Sequence, residues 1–154
     1  MHPLVTLGLA ILAGAAMGAA TLNEIAGKEW RTYEAGYRAD VIDAPIHGNS
    51  GLHYMIRMKA EDTVVYSWEV PIISNPQSFY SQLHAHVEAP GRPGDMLYYD
   101  KMTGSKASGS LIAPSQGIYG WVWQNKSETP VIVRLRIAGF YDLIPDQTEQ
   151  PIRE

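Results

Sequence analysis

Cysteine is absent from the 154-residue sequence. This absence excludes disulfide bonds, zinc sites built from thiolates and catalysis by a thiol nucleophile. Charge is sparse as well, since 18% of the residues are charged and the formal net charge is -4 at pH 7. A chain without an excess of basic side chains is poorly suited to neutralising a phosphate backbone, so we expect no nucleic-acid partner.

Phenylalanine is also scarce, and the aromatic residues are nine tyrosines and four tryptophans against two phenylalanines. Tyrosine and tryptophan combine a large apolar body with one polar tip, so they suit both a half-buried sheet and a binding surface. Hydrophobic residues make up 45% of the chain, which is long enough to bury one substantial core. The composition therefore predicts one globular domain with an appendage.

The N-terminal segment has no acidic side chain, lysine or arginine before Glu24. As a helix, residues 3–22 would span roughly 30 Å of bilayer hydrocarbon. We expect residues 1–22 to form one apolar helix, either a retained transmembrane anchor or a signal peptide cut near residue 20. The first alternative predicts a single-pass protein of the cytoplasmic membrane with its globular domain in the periplasm. The second predicts a protein secreted to the periplasm.

The rest of the chain changes from a mixed pattern to a period of two. Residues 23–37 mix charges with helix-forming residues and predict a short helix or stalk. Residues 38–144 predict an all-β antiparallel sandwich or jelly roll, because turn-rich connections separate the strand-like runs and no helical run intervenes. Residues 145–154 are polar and are expected to fray. The strand-like runs are 38–46, 53–58, 63–70, 78–87, 118–124 and 131–140, with shorter runs near 96–99 and 110–113.

Residues 109–141 combine an Ala-Pro element, a Gly-aromatic start, an aromatic strand closed by Asn and a long final apolar strand. This pattern resembles the C-terminal hairpin of GOLD-type (p24-type) β-sandwich domains. Residues 54–143 also resemble a family of bacterial transmembrane anchor proteins that are often encoded near heavy-metal efflux systems. The resemblance implies a GOLD-like fold and a membrane location, but no reaction, because none is assigned to that family. The matching pieces are Val64–Trp68, Lys106–Ser110, Ala113–Pro114, Gly117–Trp123, Asn125 and Val133–Tyr141.

Four aromatic residues are candidates for either the core or an interaction surface. Alternation places Tyr119, Trp121 and Trp123 on one face of a strand, and Trp68 lies on the apolar face of an earlier run. We expect these rings to fill the space between two sheets, where their large area would supply much of the burial. The alternative is an exposed platform that stacks on a sugar or on a protein partner.

Residues 84–88, His-Ala-His-Val-Glu, are the sharpest candidate for a chemical site. On a strand, His84, His86 and Glu88 share a face, and two imidazoles with a carboxylate can hold zinc, copper or nickel without thiolates. His53 on another strand, or His47 in a glycine-rich loop, would complete such a site. The alternative is an ordinary polar surface in which these side chains face solvent.

No motif of nucleophilic, phosphate-binding or metalloprotease catalysis occurs, so we expect no enzyme activity and no cofactor other than a zinc or copper ion. The sequence predicts a membrane-tethered periplasmic β-sandwich that serves as an accessory or adaptor subunit. Its partner would be an integral membrane protein or complex, with the N-terminal helix as the tether. The alternative function is a periplasmic metal-binding protein centred on His84 and His86, which the resemblance would link to heavy-metal efflux.

Overall fold

A computed structural model describes residues 32–33, 36–89 and 92–152, without the side chains of residues 88, 89, 92 and 93. The expected apolar helix at residues 1–22 and most of the expected stalk lie outside these residues. The described part forms ten strands and one short 3-10 turn at Pro76–Ser78. The strands are β1 (Tyr37–Ile46), β2 (Ser50–Met58), β3 (Thr63–Glu69), β4 (Phe79–Ala89), β5 (Arg92–Thr103), β6 (Lys106–Ile112), β7 (Gly117–Asn125), β8 (Val131–Phe140), β9 (Asp142–Leu143) and β10 (Thr148–Pro151).

The strands form two antiparallel sheets. Sheet A has the order β1-β8-β3-β6, and sheet B has the order β10-β2-β7-β4-β5, with the short β9 also paired to β2. Buried side chains from both sheets belong to one hydrophobic core. The all-β, antiparallel prediction is therefore confirmed, and the arrangement is that of a β-sandwich.

Alternation of side chains explains why each strand has one buried face. In β8 the residues Val131, Val133, Leu135 and Ile137 are buried, while the residues between them are exposed or partly exposed. A period of two puts every second side chain against the opposite sheet, so the apolar set leaves water together. The bounds of β8 coincide with the strand-like run at residues 131–140 that alternation predicts.

The predicted aromatic residues lie in the core. Trp68, Tyr119, Trp121 and Trp123 are all at most 2% exposed. Trp121 and Trp123 stack at 5.7 Å between ring centroids, and Trp68 of sheet A meets Trp123 of sheet B edge-on at 6.0 Å. The expectation of a core role is confirmed, and the alternative of an exposed platform is wrong for these rings.

The polar tail does not fray at Thr148–Pro151, where it forms β10 and pairs with Ser50–His53 of β2. Just before it, Gln147 accepts a hydrogen bond from the Met55 N–H at 2.7 Å and donates one to the Met55 carbonyl at 3.0 Å. The expectation of a frayed tail is wrong there because edge pairing uses backbone groups, which polar composition does not weaken.

Tyr141, which directly follows β8, forms a hydrogen bond to a residue of β1. Tyr141 is 1% exposed and donates a hydrogen bond to the carboxylate of Asp40 at 2.6 Å, and Arg38 lies 3.2 Å from the same carboxylate oxygen. The hydrogen bonds from Tyr141 and Arg38 lower the pKa of Asp40. Burial and the Asp40 carboxylate raise the pKa of Tyr141. This corner of sheet A therefore holds a partly buried carboxylate with its donors in place.

Candidate metal centre

Three histidines lie on the outer face of sheet B, on the side away from the core. His84 and His86 are two residues apart on β4 and therefore share this face. His53 lies on β2, and β7 separates the two strands. In the strand register, His84 pairs with Gly120 of β7. Gly120 pairs in turn with Met55 of β2, which is two residues after His53. Strand order therefore brings a residue far away in the sequence beside the His84–His86 pair.

The three rings contact one another through His84. The ring centroids of His53 and His84 are 5.9 Å apart, and those of His84 and His86 are 5.1 Å apart. Two imidazoles that bind one tetrahedral ion through nitrogens at about 2.1 Å have ring centres about 5 Å apart. Both measured separations are near that value. The spacing of the rings therefore suits a shared ion.

Gly120 keeps the surface between these histidines open. It pairs with Met55 on one side and with His84 on the other, and it has no side chain to fill the outer face between them. A Cβ atom at this position would lie 2.0 Å from the backbone oxygen of Tyr54. Close approach of β2 and β7 therefore requires glycine here, and the same residue leaves room for the rings of His53 and His84 to meet.

His84 is buried and lacks a hydrogen-bond partner at one nitrogen. Its side chain is among the largest fully buried ones, at 1% exposure, and its Nδ1 has no partner. A buried polar atom without a partner costs about 1–3 kcal/mol. The alternative that this histidine faces solvent is wrong, because the rings of His53, His86 and Tyr98 surround it.

Burial also keeps the rings in the form that binds metals. Burial lowers the pKa of His84, and the nearby His86 and His53 lower it further. Burial lowers the pKa of His53 as well, with a smaller contribution from His86. A neutral imidazole has a free lone pair and is the form that coordinates a metal ion. The lowered pKa values of His53 and His84 therefore favour the neutral form of each ring, although a hydrogen bond with the Gln82 backbone partly opposes the shift of His84.

The other predicted ligands do not join this cluster in the described part of the structure. The side chain of Glu88 lies outside it. His47 is 3.0 Å from the carboxylate of Glu149, at the loop between β1 and β2. Among the described residues, no group of three or more His, Asp or Glu side chains is arranged so that it could hold a metal ion. A shared ion would therefore require rotation of the more exposed rings, His53 and His86.

Two methionines and a tyrosine complete this face, and the sequence prediction missed them. Met96 of β5 is the cross-strand partner of His86, and Tyr98 is the partner of His84. Met55 is 7% exposed but does not belong to the hydrophobic core. A short strand near residues 96–99 was expected, but the register of β5 against β4 depends on a bulge between Leu83 and His84 that no local pattern signals.

Comparison of the sequence with protein-family models and with curated proteins gives no match. In residues 32–33, 36–89 and 92–152, no helix is both long enough and apolar enough to cross a membrane. The apolar segment at residues 1–22 lies outside that range.

Proposed function

We propose that this protein is a non-enzymatic metal-binding domain that holds a zinc or copper ion between His53, His84 and His86. One observation carries the proposal: a buried histidine with a partnerless Nδ1 lies in ring contact with two further histidines. A metal ion would coordinate that nitrogen, so a metal–nitrogen bond would replace the free-energy cost of burying the nitrogen without a partner. Borderline metals such as zinc and copper suit imidazole ligands.

The surroundings of the cluster support reversible binding. His53 is exposed and His86 is partly exposed, so an ion can reach the site from solvent. Three protein nitrogens would leave a further coordination position open, as in sites that exchange a ligand with solvent or with a partner. The resemblance to proteins encoded near heavy-metal efflux systems agrees with such a role in the periplasm.

Titration of the full-length protein with zinc and with cupric copper tests the proposal. We expect one ion per chain, with affinity reduced by at least about tenfold in the His53→Ala variant and in the His84→Ala/His86→Ala double variant. His47→Ala is the matched control, because His47 is exposed and paired with Glu149 outside the cluster. Equal binding by the wild type and both cluster variants would disprove the proposal. Circular dichroism establishes that each variant is folded.

A second function is proposed from the outer surface of sheet A and its neighbouring loops. An apolar cleft of about 610 Å³ is lined mainly by three prolines and two isoleucines. The side chains of Ile72 and Ile132 are 88% and 52% exposed. Exposed apolar surface of this kind is typical of interaction sites. The cleft lining comprises Pro45, Pro71, Ile72, Pro130, Val131, Ile132 and Arg134.

We propose that this cleft contacts an integral membrane protein or complex, for which the chain is an accessory or adaptor subunit. In this proposal the N-terminal segment is the membrane tether, and the β-sandwich is of the GOLD type. Ile72→Asp should reduce by at least about tenfold the amount of partner that co-purifies from membranes with a C-terminally tagged chain. Ile112→Asp is the control, because Ile112 is 61% exposed but does not line the cleft. Equal recovery with both variants would exclude this cleft as the contact.

A further inference from the structure

The outer face of sheet B contains thioether sulfur beside the histidines. Met96 is directly opposite His86 across the β4–β5 pair, and its side chain is 45% exposed. Directly paired residues of antiparallel strands have Cβ atoms about 4.5–5.5 Å apart, within reach of a long side chain such as methionine. Met96 can therefore bring its sulfur to an ion held by His86 without any change in the backbone.

A second methionine is on the other side of the cluster. Met55 pairs with Gly120, which in turn pairs with His84, so Met55 and His84 flank a position that has no side chain. Met55 is buried at 7% exposure although it is not part of the hydrophobic core. Met55 is therefore on the opposite side of the histidines from Met96, with β7 and β4 between the two methionines.

The charge of these groups points to a monovalent ion. Imidazole and thioether are both neutral donors, so these histidines and methionines bring no negative charge to a bound ion. A divalent ion in this partly buried place would retain two charges without compensation, whereas a monovalent ion retains one. Thioether sulfur is a soft ligand that favours cuprous copper over zinc.

From this arrangement we infer that the site selects cuprous copper, with Met96 as a sulfur ligand beside His84 and His86. This inference rests on the proposed metal-binding function and names the ion for the same site. Binding changes no oxidation state, because the ion enters as copper(I). As a sulfur ligand, Met96 would affect the binding of copper and of zinc differently. A methionine that only packs against its neighbours would not.

Competition titrations under anaerobic conditions separate the two claims. The full-length protein competes with a chromogenic chelator for cuprous copper and, in a second assay, with a chelator for zinc. We expect Met96→Leu, which conserves side-chain volume, to weaken cuprous binding by about tenfold or more and to leave zinc binding within about twofold. Met102→Leu is the matched control, because Met102 is on the same strand but packs against the core, and it should change neither affinity.

Each outcome decides a different claim. An unchanged cuprous affinity in Met96→Leu, or an equal loss of affinity for both metals, overturns the inference while His-dependent binding of zinc keeps the metal site. Absence of binding of either metal to the wild type overturns the metal site itself. Copper X-ray absorption gives a second readout: the wild type should show a sulfur neighbour of the copper, and Met96→Leu should reduce or remove it.

Discussion

The outer faces of the two sheets differ in whether their polar side chains have hydrogen-bond partners. On sheet A, Arg134 forms two hydrogen bonds to Asp43 at 2.7 and 2.8 Å, and Arg136 contacts Glu69 at 2.9 Å. Both arginines of β8 therefore have a carboxylate partner on a neighbouring strand. On sheet B, the buried His84 has a nitrogen without a partner and is surrounded by other aromatic rings. The charges named on sheet A are therefore paired, whereas the outer face of sheet B holds a buried nitrogen without a hydrogen-bond partner.

Unpaired buried polar atoms are more informative about a binding site than paired exposed charges. Exposed ion pairs contribute little to stability, but the donors and acceptors in them are paired. A buried donor or acceptor without a partner has a cost that folding alone does not explain. Two indole nitrogens of the core, on Trp121 and Trp123, also lack partners, but only the His84 nitrogen adjoins other histidines and is the one on which we base the proposed metal site.

Substitution of Gly120 is expected to have the largest effect. A methyl group at Gly120 would collide with the backbone of β2, so Gly120→Ala should lower the free energy of unfolding by about 3 kcal/mol. Urea unfolding measures the loss. Gly36→Ala is the control, since a Cβ at Gly36 has no heavy atom within 4 Å, and it should be close to neutral. A stable Gly120→Ala protein would show that β2 and β7 are not held as closely as the contact implies.

The second effect in size concerns Tyr141 on sheet A and depends on pH. The pKa of Asp40 is lowered in the folded state, so the folded protein binds fewer protons there than the unfolded chain. The resulting stability is present above the ordinary aspartate pKa near 3.8 and is lost as the pH falls below it. Removal of the Tyr141 hydroxyl should therefore cost more at pH 7 than at pH 3.

Urea unfolding of Tyr141→Phe at the two pH values measures this difference. We expect a loss of about 1.5–3 kcal/mol at pH 7, as for a hydrogen bond to a charged group, and a smaller loss at pH 3. Tyr37→Phe serves as the control, because Tyr37 is 68% exposed. An equal loss at both pH values would show that the hydroxyl is not coupled to the charge of Asp40.

Replacement of His84 should change stability little while it changes binding strongly. In the absence of metal, His84→Leu should leave the free energy of unfolding unchanged or raise it by about 1 kcal/mol, since a partnerless polar atom is removed. In the presence of zinc, only the wild type should gain stability. A metal-free destabilisation of about 2 kcal/mol or more would show that His84 has a structural role instead.

The smallest effect is expected at the ion pairs of sheet A. Arg134→Ala should leave the urea midpoint nearly unchanged at moderate ionic strength, because the Arg134 and Asp43 side chains are 40% and 47% exposed. Unfolding with and without added salt measures any contribution. A large loss of stability that is independent of salt would show that this ion pair is an important contributor to the stability of sheet A.

Much of the fold can be predicted from side-chain alternation. The bounds of β8, the buried faces of β3 and β7, and the shared face of His84 and His86 all follow from a period of two. These features are local, so a single strand is enough to show them. Sheet membership of β10 is different, because its residues are polar and its pairing uses only backbone groups.

The candidate site was only half predictable for the same reason. That His53 contacts His84 depends on the strand order β2-β7-β4 and on the absence of a side chain at Gly120. Met96 faces His86 because of a bulge in the β4–β5 pair. Neither the order of strands nor a bulge is encoded by local alternation, so the prediction reached His84, His86 and His53 as candidates but not the methionines.

One measurement tests the central claim most directly, which is that three histidines share one ion. The protein has five histidines, at positions 2, 47, 53, 84 and 86. Nitrogen NMR of the imidazoles in the full-length protein, followed during titration with zinc, reports on each ring separately. The account predicts that His53, His84 and His86 respond together and saturate at one ion per chain, while His47 is unchanged. A response confined to His2 or His47, or no response at the cluster, would contradict it.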